Sequence, residues 1–174
     1  MAEAFSIRAL GASDLTAYKQ LRDTVLAADP EAFTSDATEE LPKTVQSYLP
    51  RLGLDKPEGG QFTLGAFQGG DQLVGAVTCE RDFRVKSRHI GLVVGMMVLS
   101  HARGQGVGRA LLTECIALAR RTPGMELLTL TVTATNRTAV ALYASAGFKR
   151  YGTLVHGIKL DGHYHDKDLM ALNL

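Results

Sequence analysis

The chain has 174 residues, of which 45% are hydrophobic, and a formal net charge of +1. This length supports one sizeable hydrophobic core and is well short of two, so we expect a single domain over residues 1–174. The near-neutral charge provides no overall field for nucleic acid or an anionic membrane, and we expect neither as a partner.

The N-terminal residues and the two cysteines bear on the cellular context. The first ten residues lack a basic stretch followed by an apolar one, so no secretory signal is visible. The longest apolar run, over 92–99, is too short to span a bilayer. Cys79 and Cys115 cannot form a disulfide framework, and Cys115 lies on the apolar stripe of a predicted helix, where a buried thiol is expected. These features favour a cytoplasmic protein.

The first half of the chain alternates between strand and helix patterns. A Ser13 cap begins a helix that Asp29-Pro30 ends. Pro42 and Pro50 interrupt the next helical region, and the loop after it covers residues 53–60. The predicted elements are a strand over 5–10, a helix over 13–28, a helical region over 37–52, and a hairpin of strands over 61–67 and 72–79.

The second half has more regular periodicity. Its first strand is long and apolar and runs directly into a glycine-rich turn, after which an amphipathic helix begins. Pro123-Gly124 ends that helix. The predicted elements are a strand over 89–99, a helix over 106–121, a strand over 126–133, a helix over 136–146, and strands over 148–158 and 163–172.

The glycine-rich turn is the most informative segment of the chain. Three alternating glycines lie between Arg103 and Arg109, directly before a helix. A helix N-terminus has unpaired N–H groups and a partial positive charge, and glycines allow a ligand to approach the backbone closely. The pattern predicts an anion site that suits a phosphate or pyrophosphate. The alternative is a turn that only reverses the chain, which three glycines flanked by arginines make less attractive.

The spacing of the glycines limits which class of phosphate-containing ligand the turn can bind. No Gly-Lys-Ser or Gly-Lys-Thr occurs, so a nucleotide P-loop is excluded. The G-x-G-x-x-G/A pattern of dinucleotide-binding proteins does not fit either. Its last position would fall on Arg109 if the pattern began at Gly104, and on Leu111 if it began at Gly106. A nucleotide-dependent oxidoreductase is therefore disfavoured. The pattern that remains is Arg103-x-x-Gly106-x-Gly108.

A second segment follows the strand over 126–133, whose apolar leucines and valine alternate with threonines. It reads Asn136-x-x-Ala139-x-x-Leu142-Tyr143. Asn136 by itself is most simply a helix N-cap, and Tyr143 by itself an aromatic residue at an interface. Both segments occurring in order, about thirty residues apart, favour a functional role for them together.

The two segments resemble the GNAT N-acetyltransferase superfamily. The glycine pattern, with Val98 on the strand before it, is similar to the family's acyl-CoA pyrophosphate loop, and the segment from Asn136 to Tyr143 matches the family's later helix. The resemblance covers roughly residues 73–172. It implies an α+β fold with a central, mostly antiparallel twisted sheet of six to seven strands, about four flanking helices, and acyl-CoA bound between two splayed parallel strands.

The resemblance also implies a co-substrate and residue roles. Acetyl-CoA would be held by the loop amides, by the preceding strand and by Asn136, and Tyr143 would be the general acid for the departing thiolate. An amine would attack the acetyl carbonyl directly, through a tetrahedral intermediate. The residues implied to bind acetyl-CoA are Met97, Val98, Leu99, Arg103, Gly104, Gln105, Gly106, Val107, Gly108, Arg109, Asn136 and Tyr143.

The general base stays unassigned. Relatives often carry a glutamate where Thr131, Leu92 and His101 stand in this chain. A chain of water molecules leading to solvent would also remove the proton of the amine. Each histidine considered for this role is more simply a solvated or loop-capping imidazole. The candidate bases are Glu80, His89, His163 and His165.

The acceptor is the least defined part of the prediction. We expect a small-molecule amine or a peptide amine, and the acidic run at Asp36, Glu39 and Glu40 would suit a cationic amine, although such a run is usually a solvated helix face. His163 and His165 share one strand face, but no further metal ligands are indicated and no metal is expected. A non-catalytic acyl-CoA-binding regulatory module is the alternative. An acyl group other than acetyl and the oligomeric state, a homodimer included, stay open.

Overall fold

The computed structural model describes residues 4–56 and 59–174, so the parts of the predicted N-terminal segment and loop at residues 1–3 and 57–58 lie outside it. Seven strands form one sheet in the order β1-β2-β3-β4-β5-β7-β6. The strands are β1 (Phe5–Ala9), β2 (Phe62–Gln68), β3 (Gln72–Arg81), β4 (Ile90–Val98), β5 (Leu127–Thr133), β6 (Lys149–Leu160) and β7 (His163–Asn173). The α-helices are α1 (Leu15–Ala28), α2 (Ala37–Glu40), α3 (Val107–Arg121) and α4 (Arg137–Ser145).

Helices cover both faces of the sheet. The buried residues of α3, together with Tyr143 of α4, pack against one face. The buried residues of α1 and of a 3-10 segment at Val45–Leu52 pack against the other. The predicted α+β fold, with a mostly antiparallel sheet and about four helices, is confirmed. In the described residues, no helix is long and apolar enough to cross a membrane.

The helical region predicted over 37–52, with interruptions at Pro42 and Pro50, is divided in the structure. It consists of the single turn α2, capped by the side chain of Asp36, and of the 3-10 segment, with a turn between them. Pro42 lies in that turn and Pro50 lies inside the 3-10 segment. Proline has no N–H to donate and its ring clashes with the preceding helical turn, so a continuous α-helix cannot form here.

The sheet opens between its two parallel strands. β4 and β5 pair only through Ile90, Gly91 and Leu92, which lie beside Leu127, Leu128 and Thr129. Beyond Leu92 and Thr129 the strands separate, while β5 stays paired with β7 along its whole length. A wedge-shaped gap therefore begins at the pair Leu92–Thr129, which we call the closed corner.

β4 also carries a bulge within the gap. Its register to β3 shifts between the partners of Ala76 and Thr78, which are Met97 and Val94. The extra residue belongs to β4, at Gly95 or Met96, and Gly95 has a φ of +59°. A bulge leaves a residue outside the ladder and redirects the strand, which is a common device beside binding sites.

Candidate active site

The glycine loop, residues 103–109, ends β4 and begins α3. From Gly104 to Arg109, no backbone amide donates a hydrogen bond to any residue that the structure describes. No side chain caps the N-terminus of α3 either. Six consecutive N–H groups are therefore available to an anion at the positive end of a 15-residue helix.

Two glycines give this loop its shape. Gly104 and Gly106 have φ values of +74° and +85°, a region that other residues adopt only with strain. A Cβ atom placed on either residue would meet no atom within 4 Å. The space above both glycines is open, as a site for a phosphate group at the backbone requires.

The two arginines of the loop differ. Arg103 is anchored: its Nε donates to the carbonyl of Val98 at 3.0 Å and its guanidinium pairs with Asp29 at the end of α1. Arg109 is exposed and forms no ion pair within the described residues. Arg109 is thus the loop cation that is free to meet a phosphate, whereas Arg103 connects the loop to α1.

Other residues of the loop position its backbone. The side chain of Gln105 donates to the carbonyl of His101 at 2.8 Å and accepts from Gln68 at 3.0 Å. The Val107 side chain is buried in the core on the α3 face. Gln105 and Val107 therefore contribute amides to the loop while their side chains hold it in place.

The end of β4 presents one residue to the gap. The Leu99 amide donates to Val74 of β3, so Leu99 and Met97 direct their backbone groups towards β3. Because the direction alternates along a strand, Val98 directs its N–H and C=O into the gap. The Met97 side chain is buried on the α1 face. Of Met97, Val98 and Leu99, only Val98 has the backbone orientation expected for contact with a ligand.

Helix α4 lies on the same face of the sheet as α3. The side-chain Oδ1 of Asn136 accepts a hydrogen bond from the backbone amide of Ala139 at 3.1 Å, which is the N-cap role expected for Asn136. Its –NH₂ group donates to no described residue. A Cβ on Gly108 would lie 3.6 Å from Leu142 and 3.8 Å from Val98, so the first turn of α3, the end of β4 and α4 converge there.

Tyr143 follows Leu142 on α4 and lies near Cys115 of α3. Its ring is buried and meets Phe148 edge-on at 6.0 Å. Burial, together with the neighbouring Cys115 thiol, raises the pKa of Tyr143 to about 12. Its hydroxyl has no hydrogen-bond partner among the described residues. Tyr143 therefore keeps its proton at neutral pH and has it available to donate. Cys79 and Cys115 are free, buried thiols, as expected for Cys115.

The candidate bases occupy different positions. Glu80 is partly buried and pairs with Leu92, which pairs with Thr129, so these three residues form one row across the sheet at the closed corner. Thr131 is exposed on β5, and its partner on β7 is Leu169. His165 lies four residues further along β7, about 13 Å away at an ordinary strand rise.

Among the candidates, Glu80 therefore lies in the row of the closed corner, whereas the histidines of β7 lie away from it. His89 precedes β4, and its carbonyl accepts from the amides of Glu126 and Leu127. In residues 4–56 and 59–174, no group of three or more potential ligands could hold a metal ion.

Sequence patterns did not reveal a polar cluster on the α1 face. Tyr18 and Arg22 belong to the apolar stripe of α1. Arg51 belongs to the 3-10 segment. All three approach Gly95 in the bulge of β4. The available signal was a fully charged residue, Arg22, at a stripe position between Leu21 and Val25.

The acidic run has structural partners. The Asp36 side chain caps α2 by accepting from the amides of Thr38 and Glu39. Glu40 is buried and accepts from Arg22 at 3.0 Å and from Tyr48 at 2.8 Å, and it also pairs with Lys43. Burial opposes the charge of Glu40, but these three donors together lower its pKa to about 2. Two of the three acidic residues therefore stabilise the fold locally.

Comparison with known proteins gives a consistent result. The family model described as the acetyltransferase (GNAT) family matches residues 23–148. A GNAT-family acetyltransferase from Streptococcus pneumoniae is 26% identical, with a TM-score of 0.86 over 98% of this chain and 99% of that one. A ribosomal-protein-alanine N-acetyltransferase from Brucella melitensis is also 26% identical, with a TM-score of 0.79 over 97% and 99%.

A more distant structure shares the fold. A phosphinothricin acetyltransferase from Sinorhizobium meliloti, solved with acetyl-CoA, is 20% identical with a TM-score of 0.81 over 100% of this chain and 89% of that one. No curated protein matches the sequence significantly. The glycine loop, the open β4–β5 gap and a family match over 126 residues agree, and the chain belongs to the GNAT family of acetyltransferases, which use acetyl-CoA as the acetyl donor.

Proposed function

We propose that the protein transfers an acetyl group from acetyl-CoA to a primary amine. The observation that supports this most strongly is the run of six unpaired amides from Gly104 to Arg109, at the mouth of a gap that opens within the sheet. Those amides and Arg109 suit the pyrophosphate, Val98 and the Asn136 –NH₂ group suit the amide-containing arm, and the gap directs the thioester towards the closed corner.

The residues of the gap fit direct transfer. Acetyl-CoA supplies an activated acetyl group, and the neutral amine forms the new C–N bond as the C–S bond breaks. A backbone N–H on the open edge of β4 would stabilise the negative charge that develops on the carbonyl oxygen. Tyr143 would give its proton to the departing sulfur and recover one from solvent. The proton lost by the amine would leave through water, with Glu80 as the best-placed side-chain acceptor.

The first experiment measures donor binding and turnover separately. We expect acetyl-CoA to raise the melting temperature of the protein, because a ligand that binds only the folded state stabilises it. We also expect thiol release when amines, amino acids, aminoglycosides and peptides with free N-termini are supplied as acceptors. The absence of any stabilisation by acetyl-CoA would contradict the proposal at its first step.

The second candidate function is a regulatory module that binds acyl-CoA without turnover. Leu92 and Thr131 favour it, because neither side chain can take a proton at the positions where relatives often carry glutamate. Tyr143, whose hydroxyl carries a proton and has no partner among the described residues, favours the enzyme. Acetyl-CoA binding without thiol release across the whole acceptor panel would select the module.

A further inference from the structure

Three buried side-chain atoms of α1 lack hydrogen-bond partners among the described residues: the Tyr18 hydroxyl, Arg22 Nε and Asp23 Oδ1. Tyr18 and Arg22 approach the bulge of β4, whereas Asp23 pairs with Lys19 through its other oxygen. Tyr18 has no exposed surface and Arg22 has 2%. The hydroxyl of Tyr18 and the Nε of Arg22 nevertheless donate to no atom of the described residues. Leaving a buried donor unpaired costs about 1–3 kcal/mol, so each such atom calls for an explanation, and a bound molecule that satisfies it is one.

These two residues converge with Arg51 on one point in the bulge of β4. A Cβ built on Gly95 would lie 3.6 Å from Arg51 Nη1, 3.8 Å from the Tyr18 hydroxyl and 3.9 Å from Arg22 Nη1. Arg51 forms no ion pair or side-chain hydrogen bond within the part of the chain that is described. A side chain at Gly95 would contact all three donors, so the glycine keeps this point of the bulge free of protein side chains.

The charges of this cluster are not balanced. Glu40 is the carboxylate that contacts Arg22, and it is shared with Lys43 and Tyr48. Three cations, Arg22, Lys43 and Arg51, therefore accompany one carboxylate. Two guanidinium groups that approach one point repel each other unless an anion lies between them. A carboxylate suits the position, because arginine donates to both of its oxygens with matched geometry.

The position of the cluster relates it to the gap. Gly95 lies three residues from Leu92 at the closed corner and three residues from Val98, so it is midway along the open part of β4. The cluster lies on the α1 face of the strand, and the unpaired edge of β4 faces the gap. A small molecule held at Gly95 would therefore place a neighbouring amine beside that edge.

We infer that Tyr18, Arg22 and Arg51 bind the carboxylate of the acceptor, and that the acceptor is a free amino acid whose amine is acetylated. This inference rests on the proposed function and specifies its substrate class. It runs against the cationic acceptor suggested by the acidic run, whose Glu40 is already neutralised by arginine and lysine.

The test compares acceptors that differ only in the carboxylate. Thiol release from acetyl-CoA is measured with each of the common L-amino acids and with the matching amino acid amides. We expect at least one free acid to exceed its amide in kcat/KM by about tenfold or more, the usual scale for a lost charge-assisted contact. Equal rates for every acid and amide pair, or turnover confined to amines and peptides without a nearby carboxylate, would overturn the inference while the proposed function stands.

Variants assign the effect to the cluster. Arg51→Met should raise KM for the preferred amino acid about tenfold or more, with a smaller change in kcat and no change in KM for acetyl-CoA. Arg121→Met removes an exposed arginine elsewhere, paired with Glu114, and serves as the matched control. Arg51 is only partly buried, so its variant avoids the folding defect expected for Arg22→Met. An Arg51→Met enzyme with unchanged KM would overturn the assignment.

A binding measurement separates this inference from the proposed function. The amino acids are titrated calorimetrically into protein saturated with CoA, which has no acetyl group to transfer. Binding that Arg51→Met abolishes, without turnover when acetyl-CoA is supplied, would support the carboxylate site and contradict the enzyme. Turnover of other amines, without binding of any amino acid, would support the enzyme and contradict the carboxylate site.

Discussion

The two sides of the β4–β5 gap offer different groups for ligand recognition. On the side proposed to bind acetyl-CoA, here called the donor side, the glycine loop and α4 offer backbone amides, an exposed Arg109 and a buried tyrosine. On the side proposed to bind the acceptor, here called the acceptor side, α1 and the 3-10 segment offer side chains, among them Arg22 and Arg51 around Gly95. Backbone recognition depends on glycine spacing and helix position, whereas side-chain recognition depends on which elements the fold brings together. The donor side can therefore be predicted from the sequence, and the acceptor side cannot.

The largest expected effect tests the donor side at Tyr143. Tyr143→Phe should lower kcat by about 10²–10⁴-fold, the usual range for general acid catalysis, and leave acetyl-CoA affinity nearly unchanged. Because the pKa of Tyr143 is about 12, no loss of kcat from its ionisation is expected below about pH 10. Steady-state rates and calorimetry check both statements, with the exposed Tyr151→Phe as control. Wild-type turnover, where chemistry limits the rate, would remove Tyr143 from this role.

The next effect tests how the acceptor side is held together. The pKa of Glu40 is lowered from 4.5 to about 2, so its contribution to stability is present above pH 4.5 and is lost as the pH falls towards 2. We expect this carboxylate to account for on the order of 3 kcal/mol of the unfolding free energy lost over that range. Denaturant unfolding across this range should show a smaller pH dependence in Glu40→Gln.

The adjacent Glu39 provides the control for that experiment. Glu39 is exposed, and its side chain has no partner in the described residues. Glu39→Gln should therefore keep the full pH dependence of the native protein. If Glu40→Gln and Glu39→Gln unfold with the same pH dependence, the cluster around Arg22 is not held by Glu40.

A smaller effect distinguishes ligand contact from backbone strain in the glycine loop. Gly106→Ala places a methyl group in the open space above the loop and should weaken acetyl-CoA binding about tenfold or more. Gly70→Ala is the matched control, since Gly70 also has positive φ and open space but lies in the β2–β3 turn. Both variants should lose similar stability, on the order of 1 kcal/mol. Equal acetyl-CoA affinity in the two variants, measured by calorimetry, would place the pyrophosphate elsewhere.

The smallest effect concerns the missing base. Thr131→Ala should change activity by a factor of about two or less, because an exposed hydroxyl cannot hold a proton at neutral pH. With proton loss to water, kcat/KM should follow the ionisation of each amine tested. One fixed inflection for all substrates, removed by Glu80→Gln, would instead identify Glu80 as the base.

The predictions from sequence succeeded where the pattern is local. The alternation over 126–133 and the stripe of α3 depend on neighbours along the chain, and both appear as predicted. The region over 37–52 was predicted as helical with interruptions at Pro42 and Pro50, and it consists of α2 and a 3-10 segment, with Pro42 in the turn between them. The pyrophosphate loop stays a prediction that its geometry supports.

The acceptor cluster could not be predicted in the same way. Tyr18, Arg51 and Gly95 are far apart in the chain, and only the packing of α1 and the 3-10 segment on β4 brings them within 4 Å of one point. Arg22 alone carried a signal, because a charge on an apolar stripe requires buried partners. No spacing rule links these residues, so the fold had to be known first.

The open edges of β4 and β5 have a consequence for the solution behaviour of the protein. An unpaired strand edge normally recruits strands from other molecules and leads to aggregation. Here the two edges face each other and meet at Leu92 and Thr129. Helices cover both faces of the sheet. A foreign strand that entered from the open end would have to stop at that junction. The protein can thus retain two unpaired edges inside its sheet and keep them for a short, strand-like ligand.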